Sequence, residues 1–178
     1  LVATDHGDAT RMPDPPQYRH GVLCIDAVEI NSAGGHIVAI GMGSAAPFPL
    51  AGETRDVIED IHRLGGWAIA AHPDSPRQGL RWRGSGAVVD GVEWLNVDTE
   101  WRGLAWGPLI GAAARAWFRP PESVASLFGS GQAGLEAWSA AIPGRPAFSI
   151  AALDAHASFG EDTEQGRPAS RLALNWPG

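Results

Sequence analysis

Five short pieces of the chain carry side chains of the types that can bind metal ions, and they follow one another along the sequence. Four of the six histidines fall within these pieces, which are Thr4–His6, Glu29, Gly34–His36, Ala71–Pro73 and Asp154–His156. Neutral imidazole nitrogens and anionic carboxylate oxygens suit zinc, manganese and iron. The residue types therefore predict a hydrolytic metal centre, with the ligands His6, Glu29, His36, His72, Asp154 and His156.

Each of these pieces lies beside an apolar run of the length of a β-strand. The runs are Leu1–Ala3, Val22–Ile30, Ile37–Ile40, Trp67–Ala71 and Phe148–Leu153. Strand patterns that alternate with helical patterns favour an α/β fold with largely parallel strands. In such folds, the residues that carry chemistry collect at the C-terminal ends of the strands. We therefore expect the proposed ligands to meet at one rim of a sheet.

The elements between these runs are also indicated by the sequence. The turn residues of Asn31–Gly35 predict a hairpin, which would bring Glu29 and His36 to the same rim. Glu53–Leu64 has apolar residues at helical spacing and is followed by two glycines, so it predicts a helix. Prolines and glycines interrupt Trp101–Ile142, which predicts two or three helices.

Spacing also separates the roles of neighbouring residues. Asp5 and His6 point to opposite faces of a regular strand, so we assign His6 as the ligand and Asp5 as a group that orients a ligand. Asp154 and His156 are two residues apart and can share a face, although an ordinary loop pair is the alternative. Glu29 follows apolar residues, where a carboxylate needs a metal or a basic partner.

The histidines differ in their surroundings. His36 and His72 taken singly also fit structural histidines, but their places at strand ends, beside a Gly-Gly pair and before a proline, favour ligation. His62 lies on an amphipathic helix and His20 closes a polar loop, so we expect neither to bind metal.

Arginines follow His72 closely and suggest how a substrate is held. Arg77 and Arg81 are expected to bind an anionic substrate over the site, although a solvated loop is an equal alternative. Asn96 ends a predicted strand at Val88–Val97 and is a weaker candidate for a substrate contact. The partner we expect is therefore a small anionic molecule.

Composition limits the other partners. The chain has 178 residues, which fits a single domain at 1–178. Its net charge of −7 and its lack of lysine argue against a broad nucleic-acid surface. No apolar run reaches the roughly 18 residues that span a bilayer. The chain opens with Leu1 inside a strand-like run, so we expect a missing N-terminus, and a cytoplasmic location is only the default.

With these motifs, the chain resembles the stand-alone branch of the PHP (polymerase and histidinol phosphatase) family of metal-dependent hydrolases. The resemblance is carried by TDH at Thr4–His6, E…GGH from Glu29 to His36, AHP at Ala71–Pro73 and DAH at Asp154–His156. It implies a distorted (β/α)7 barrel, similar to a TIM barrel, with up to three divalent ions (zinc, manganese or iron). It also implies that Glu29 bridges two ions, one of which His36 and His72 complete.

By the same resemblance, His6 and His156 hold a second ion, and Asp154 reaches the third beside Glu29. Asp154 and His156 would thereby belong to the reacting centre as well. The family's opening His-X-His motif is absent, which implies a barrel truncated before Leu1 and incomplete sites for two of the ions.

The activity that the resemblance implies is hydrolysis by a metal-activated water, with phosphate esters as the leading substrates. Carbamate or carboxylic esters and amides are the alternative substrates for the same site. A catalytically impaired remnant or a regulatory metal-binding module is the alternative from another class, and the lost first motif supports it.

Overall fold

A computed structural model describes residues 1–84, 89–96, 99–100, 104–127, 138 and 148–152. Within these residues the chain forms seven strands and three helices. The strands are β1 (Val2–Gly7), β2 (Gln17–Arg19), β3 (Val22–Ser32), β4 (Gly35–Ile40), β5 (Trp67–Ala70), β6 (Gly91–Asn96) and β7 (Phe148–Ala152). The helices are α1 (Thr54–Arg63), α2 (Trp106–Ala116) and α3 (Pro120–Ala125).

The strands form one mixed sheet in the order β1-β3-β4-β5-β6-β7, and β2 pairs with the first residues of β3. β1 runs parallel to β3, while β4 is antiparallel to both of its neighbours, β3 and β5. The pairs β5–β6 and β6–β7 are parallel again. The sheet therefore changes direction twice, on either side of β4.

The prediction of a distorted (β/α)7, TIM-like barrel is wrong. Such a barrel needs a helix after nearly every strand, because a parallel neighbour can be reached only by a long crossover. Here a tight turn joins β3 to the antiparallel β4, and the described residues contain three helices for seven strands. The hairpin that Asn31–Gly35 indicates was correctly predicted, and it is incompatible with an all-parallel barrel.

Helix α1 covers one face of the sheet. Its buried residues recur at helical spacing and pack against apolar side chains of the central strands. The main core consists largely of Ile30, Ile37, Ala39, Val57, Ile58, Ile61, Ala68, Ala70 and Val92. The opposite face carries a smaller apolar cluster of Ala27, Val38, Ile69 and Ala71. The predicted ligands His6, Glu29 and His36 lie on this second face, away from α1.

Some of the other local predictions are confirmed, and one strand was missed. The helix expected at Glu53–Leu64 is confirmed as α1, and the strand expected at Val22–Ile30 continues to Ser32. The loop predicted before His20 contains the short strand β2, which sequence reasoning missed. The last two helices fall within the segment where two or three were expected. Among the described residues, no helix has the length and apolar character needed to cross a membrane.

Candidate metal centre

Strand register brings three of the predicted ligands together. His6 on β1 is the direct partner of Glu29 on β3, so their side chains leave the same face of the sheet. On the other side of β3, His36 pairs with Asn31, two residues after Glu29, and so shares that face. One ligand atom from each of His6, Glu29 and His36 lies within 4.8 Å of the other two. These three residues are close enough to hold a metal ion.

A single carboxylate oxygen stands at the centre of the group. Oε1 of Glu29 lies 2.6 Å from Nδ1 of His36 and 3.1 Å from Nε2 of His72. Glu29 is only 8% exposed. Burial raises the pKa of its carboxyl, but hydrogen bonds from His36 and His72 and the charge of His6 outweigh burial. The pKa of Glu29 is thereby held well below its usual range, and the group stays ionised.

His72 joins the group from just beyond the end of β5. Its backbone has the unusual φ of 30° for a residue other than glycine, and its side chain is buried. The backbone amide of the preceding residue, Ala71, donates to the carbonyl of His36, and this bond holds His72 beside His36. Their ring centroids are 5.0 Å apart, and those of His36 and His6 are 5.4 Å apart.

The donor set fits a divalent ion. Nδ1 of His72 lies 3.2 Å from the carbonyl oxygen of Leu80, which only accepts, so Nδ1 carries the proton. Nε2 then faces the Glu29 carboxylate either with a second proton or with a lone pair and a cation between them. Two ligands of a tetrahedral zinc ion are about 3.3 Å apart, so the distance of 3.1 Å is suitable. The distance of 2.6 Å to His36 is that of a charge-assisted hydrogen bond, so this pair must separate to bind an ion.

Two of the predicted ligands cannot be compared with this geometry. Asp154 and His156 lie outside the described residues, so their roles as ligands and in the reaction stay predictions. Asp5 lies on β1 between Thr4 and His6, and its side chain leaves the opposite face of the strand from that of His6. Its orienting role also stays a prediction.

The predicted substrate residues lie in different settings. Arg77 and Arg81 are exposed on the turn that follows His72, and Nε of Arg81 donates to the carbonyl of Ser75 at 3.2 Å. Asn96 is instead buried, and its amide is engaged on both sides. Its Nδ2 donates to Glu93 at 3.1 Å, and its Oδ1 accepts from the amide of Thr99 at 3.0 Å.

The histidines that were not assigned to metal lie elsewhere. His20 is exposed at the turn between β2 and β3. His62 on α1 contacts Asp90, with 2.8 Å between Nε2 and Oδ2. Neither belongs to the group around Glu29.

Sequence reasoning missed Glu93. This residue lies on β6, is 8% exposed, and accepts a hydrogen bond of 2.8 Å at Oε2 from the backbone amide of His72. Burial raises the pKa of its carboxyl, although hydrogen bonds from His72 and Asn96 oppose the rise. The available signal was a carboxylate inside the apolar run Val92–Leu95, the same signal that pointed to Glu29.

Comparison with known proteins leaves the site to be judged by its own geometry. No protein-family model matches the chain, and no curated protein matches it either.

Proposed function

We propose that the chain is a metal-dependent hydrolase whose divalent ion is held by Glu29, His6, His36 and His72. The observation that carries the proposal is the convergence of two imidazoles on one buried carboxylate oxygen, with His6 at the rim of the same group. A buried, ionised glutamate needs hydrogen-bond donors or positive charge beside it. The imidazoles of His36 and His72 supply hydrogen bonds to it, and a cation between these side chains would supply positive charge.

Zinc, manganese and iron are the ions that suit this donor set. When bound, such an ion would lower the pKa of a water ligand toward about 7 and polarise the bond to be hydrolysed. The carboxylate of Glu29 would neutralise part of the charge of such an ion. The carbonyl of Leu80 keeps the proton of His72 on Nδ1 and leaves Nε2 for the ion.

The substrates that we propose are small phosphate esters. Arg77 and Arg81 lie within one turn of chain, since the amide of Arg81 donates to the carbonyl of Arg77 at 3.1 Å. Leu80 lies between them in the sequence, and its carbonyl oxygen is 3.2 Å from Nδ1 of His72. Guanidinium groups carried by the turn that follows a ligand would be suited to binding the oxygens of a phosphate.

We extend the proposal to membership of the PHP family, and with it to further ions at Asp154 and His156, up to three in all. The order of the four motifs supports this membership. The mixed sheet differs from the barrel that the resemblance implies, so the proposal depends on the site and the motifs.

The first test is the metal content of the chain purified without chelators, measured by elemental mass spectrometry. We expect about one ion or more per chain, and none above background in the double variant Glu29→Ala/His72→Ala. His20→Asn is the matched control, because it removes an exposed histidine and asparagine tolerates its φ of 50°. It should keep the full metal content.

The second test is hydrolysis by the metal-loaded chain of matched phosphate monoesters, carboxylic esters and carbamates with a common leaving group. Release of the leaving group from the phosphate esters by the wild type, with no release by the double variant, supports the proposal. Metal binding without any turnover would instead indicate a regulatory metal-binding module. An equal metal content in the wild type and the double variant would contradict the metal site itself.

A further inference from the structure

Glu93 is a buried carboxylate that the proposed reaction does not use. Across the sheet, Glu29 pairs with Val38, Val38 with Ile69, and Ile69 with Gly91. Glu93 is two residues after Gly91 on the same strand, so it lies on the same face of the sheet as Glu29. A carboxylate in such a place must be hydrogen-bonded, or its burial would destabilise the fold. Its Oε2 accepts two hydrogen bonds, from the amide of His72 at 2.8 Å and from Nδ2 of Asn96 at 3.1 Å.

The backbone of His72 needs such a partner. Its φ of 30° lies in the left-handed region, which residues other than glycine rarely adopt. The next residue is Pro73, which further restricts the conformations open to His72. The amide of Ala71 still bonds to β4, whereas the amide of His72 turns away to Glu93. Glu93 thus binds the chain at the point where it leaves the sheet in a strained conformation.

Two hydrogen bonds hold His72, one at its backbone and one at its ring. The carboxylate of Glu93 holds the backbone, and the carbonyl of Leu80 holds Nδ1. With both in place, Nε2 lies 3.1 Å from Oε1 of Glu29. Asn96 steadies Glu93 in turn, and its own Oδ1 is occupied by the amide of Thr99.

We propose that Glu93 is a positioning residue, which holds His72 in the left-handed conformation that directs Nε2 to Glu29 and the ion. The inference rests on the proposed metal site. It assigns to Glu93 a role through its hydrogen-bond geometry, because both bonds go to the single oxygen Oε2 and a neutral amide oxygen could accept them too.

Two substitutions at Glu93 separate geometry from charge. Glu93→Gln removes the charge but keeps an oxygen atom that can accept from both His72 and Asn96. Glu93→Asp keeps the charge but withdraws the carboxylate by one methylene group, out of reach of the His72 amide. A positioning role predicts that Gln substitutes for Glu and Asp does not, whereas a role for the charge, as a ligand or counter-ion, predicts the opposite.

The measurement is the dissociation constant of Co²⁺, obtained by titration of the metal-free chain and followed by the visible absorption of the bound ion. We expect the dissociation constant of Glu93→Gln to lie within about threefold of that of the wild type. Glu93→Asp should bind about 10 to 100-fold more weakly, the range for losing a partner that orients a ligand. Its spectrum should also change as His72 leaves the ion. Equal binding by all three chains, or weaker binding by Gln than by Asp, would overturn the inference.

A readout on the metal-free chain keeps the inference separate from the proposed function. The amide proton of His72 donates to an oxygen atom in the wild type and in Glu93→Gln, so its exchange with solvent should be slow in both. In Glu93→Asp that exchange should be at least tenfold faster, while circular dichroism shows an intact fold. If the wild type binds no Co²⁺, the proposed metal site fails, and Glu93 then has no ion for which to position His72. Slow exchange in Glu93→Asp would contradict the inference even if the metal binds.

Discussion

His6 and Glu29 are direct partners across the parallel pair of β1 and β3. Because side chains alternate along a strand, a shift of this register by one residue would turn His6 to the other face and bring Asp5 toward the site. The identity of the ligand on β1 is therefore set by the pairing of two strands that are far apart in the sequence. The alternation also makes two neighbouring residues into a matched pair for mutation.

We expect His6→Ala to weaken zinc binding by more than about 100-fold, because losing a ligand should exceed the 10 to 100-fold cost of losing an outer partner. Asp5→Ala should weaken it by at most about tenfold, since the side chain of Asp5 leaves the opposite face. Competition with a chromophoric chelator measures both dissociation constants. A larger effect for Asp5 than for His6 would show that the register is shifted in solution.

Metal binding should depend on pH through the histidines and not through Glu29. The pKa of Glu29 is held well below its ordinary value of 4.5, so this group remains a carboxylate from pH 7.5 to pH 5.5. A histidine nitrogen must be deprotonated to bind a metal ion, so protons compete with the ion for these ligands. We therefore expect the affinity for zinc to fall steadily as the pH is lowered from about 7.5 to about 5.5.

Isothermal titration calorimetry at pH 7.5, 6.5 and 5.5 tests this dependence. An affinity that stays constant over this range and falls only near pH 4.5 would assign the proton competition to a carboxylate. For the metal-free chain the sign is also determined. A folded pKa below 4.5 means that ionised Glu29 stabilises the fold above pH 4.5, and that this stabilisation is lost as the pH falls toward the folded value.

The local features of the site were predictable because they depend on spacing. Two-residue periodicity separates His6 from Asp5, and the turn residues of Asn31–Gly35 predict the hairpin that brings His36 beside Glu29. The order of the strands was not predictable in the same way. Whether β1 pairs in parallel with β3 depends on contacts between residues more than 20 positions apart, and no local signal records them.

The role of Glu93 also depends on contacts between residues that are far apart in the sequence. A glutamate within a strand pattern can face solvent, bind a metal ion or accept a backbone hydrogen bond, and the sequence does not distinguish these cases. Its partner is the amide of His72, 21 residues earlier, and the strained backbone of His72 follows only from the packed structure. The missing signal is therefore conformational, and it cannot be read from residue types.

Gly34 should be required for the stability of the hairpin that carries His36. A Cβ atom at this position would lie 2.5 Å from Oγ1 of Thr54 and 2.9 Å from the backbone of Gly84. The amide of Gly34 also donates to that same Oγ1 at 2.8 Å, so the close approach serves a hydrogen bond. We expect Gly34→Ala to lower the free energy of unfolding by about 1–3 kcal/mol, the usual cost of overpacking.

Urea denaturation measures this loss, and Gly79→Ala is the control. A Cβ atom at Gly79 would meet no atom within 4 Å. Its substitution should therefore change the free energy of unfolding by no more than about 0.5 kcal/mol. Equal effects at the two positions would show that the Gly34 turn is not tightly packed.

Asp90 links helix α1 to the start of β5. Its Oδ2 accepts from the backbone amide of Ala68 at 2.7 Å and lies 2.8 Å from Nε2 of His62. We expect Asp90→Ala to cost about 1–3 kcal/mol, because it leaves the part-buried amide of Ala68 without its acceptor. His62→Ala should cost at most about 1 kcal/mol, since that histidine is partly exposed. Thermal unfolding of the two variants, with an unchanged zinc affinity in both, is the test.

Arg77 and Arg81 should contribute to the binding of substrate and not to the chemical step. Both are exposed on the turn beyond His72, and Leu80 between them contacts the ring of that ligand. Replacing either by alanine should raise KM for a phosphate monoester about tenfold, which corresponds to one lost charged hydrogen bond of about 1.4 kcal/mol. We expect kcat to change little, because an interaction made equally in the ground and transition states affects KM alone.

Steady-state kinetics with a phosphate ester and with a neutral carboxylic ester completes this test. The arginine variants should lose affinity for the anionic substrate only, since a neutral ester offers no charge to a guanidinium group. Arg55→Ala is the matched control, because Arg55 lies on α1, across the sheet from the site, and pairs with Glu59 at 2.9 Å. A fall in kcat with KM unchanged would mean that Arg77 and Arg81 act on the transition state, and equal effects with both esters would mean that they hold the loop and not the phosphate.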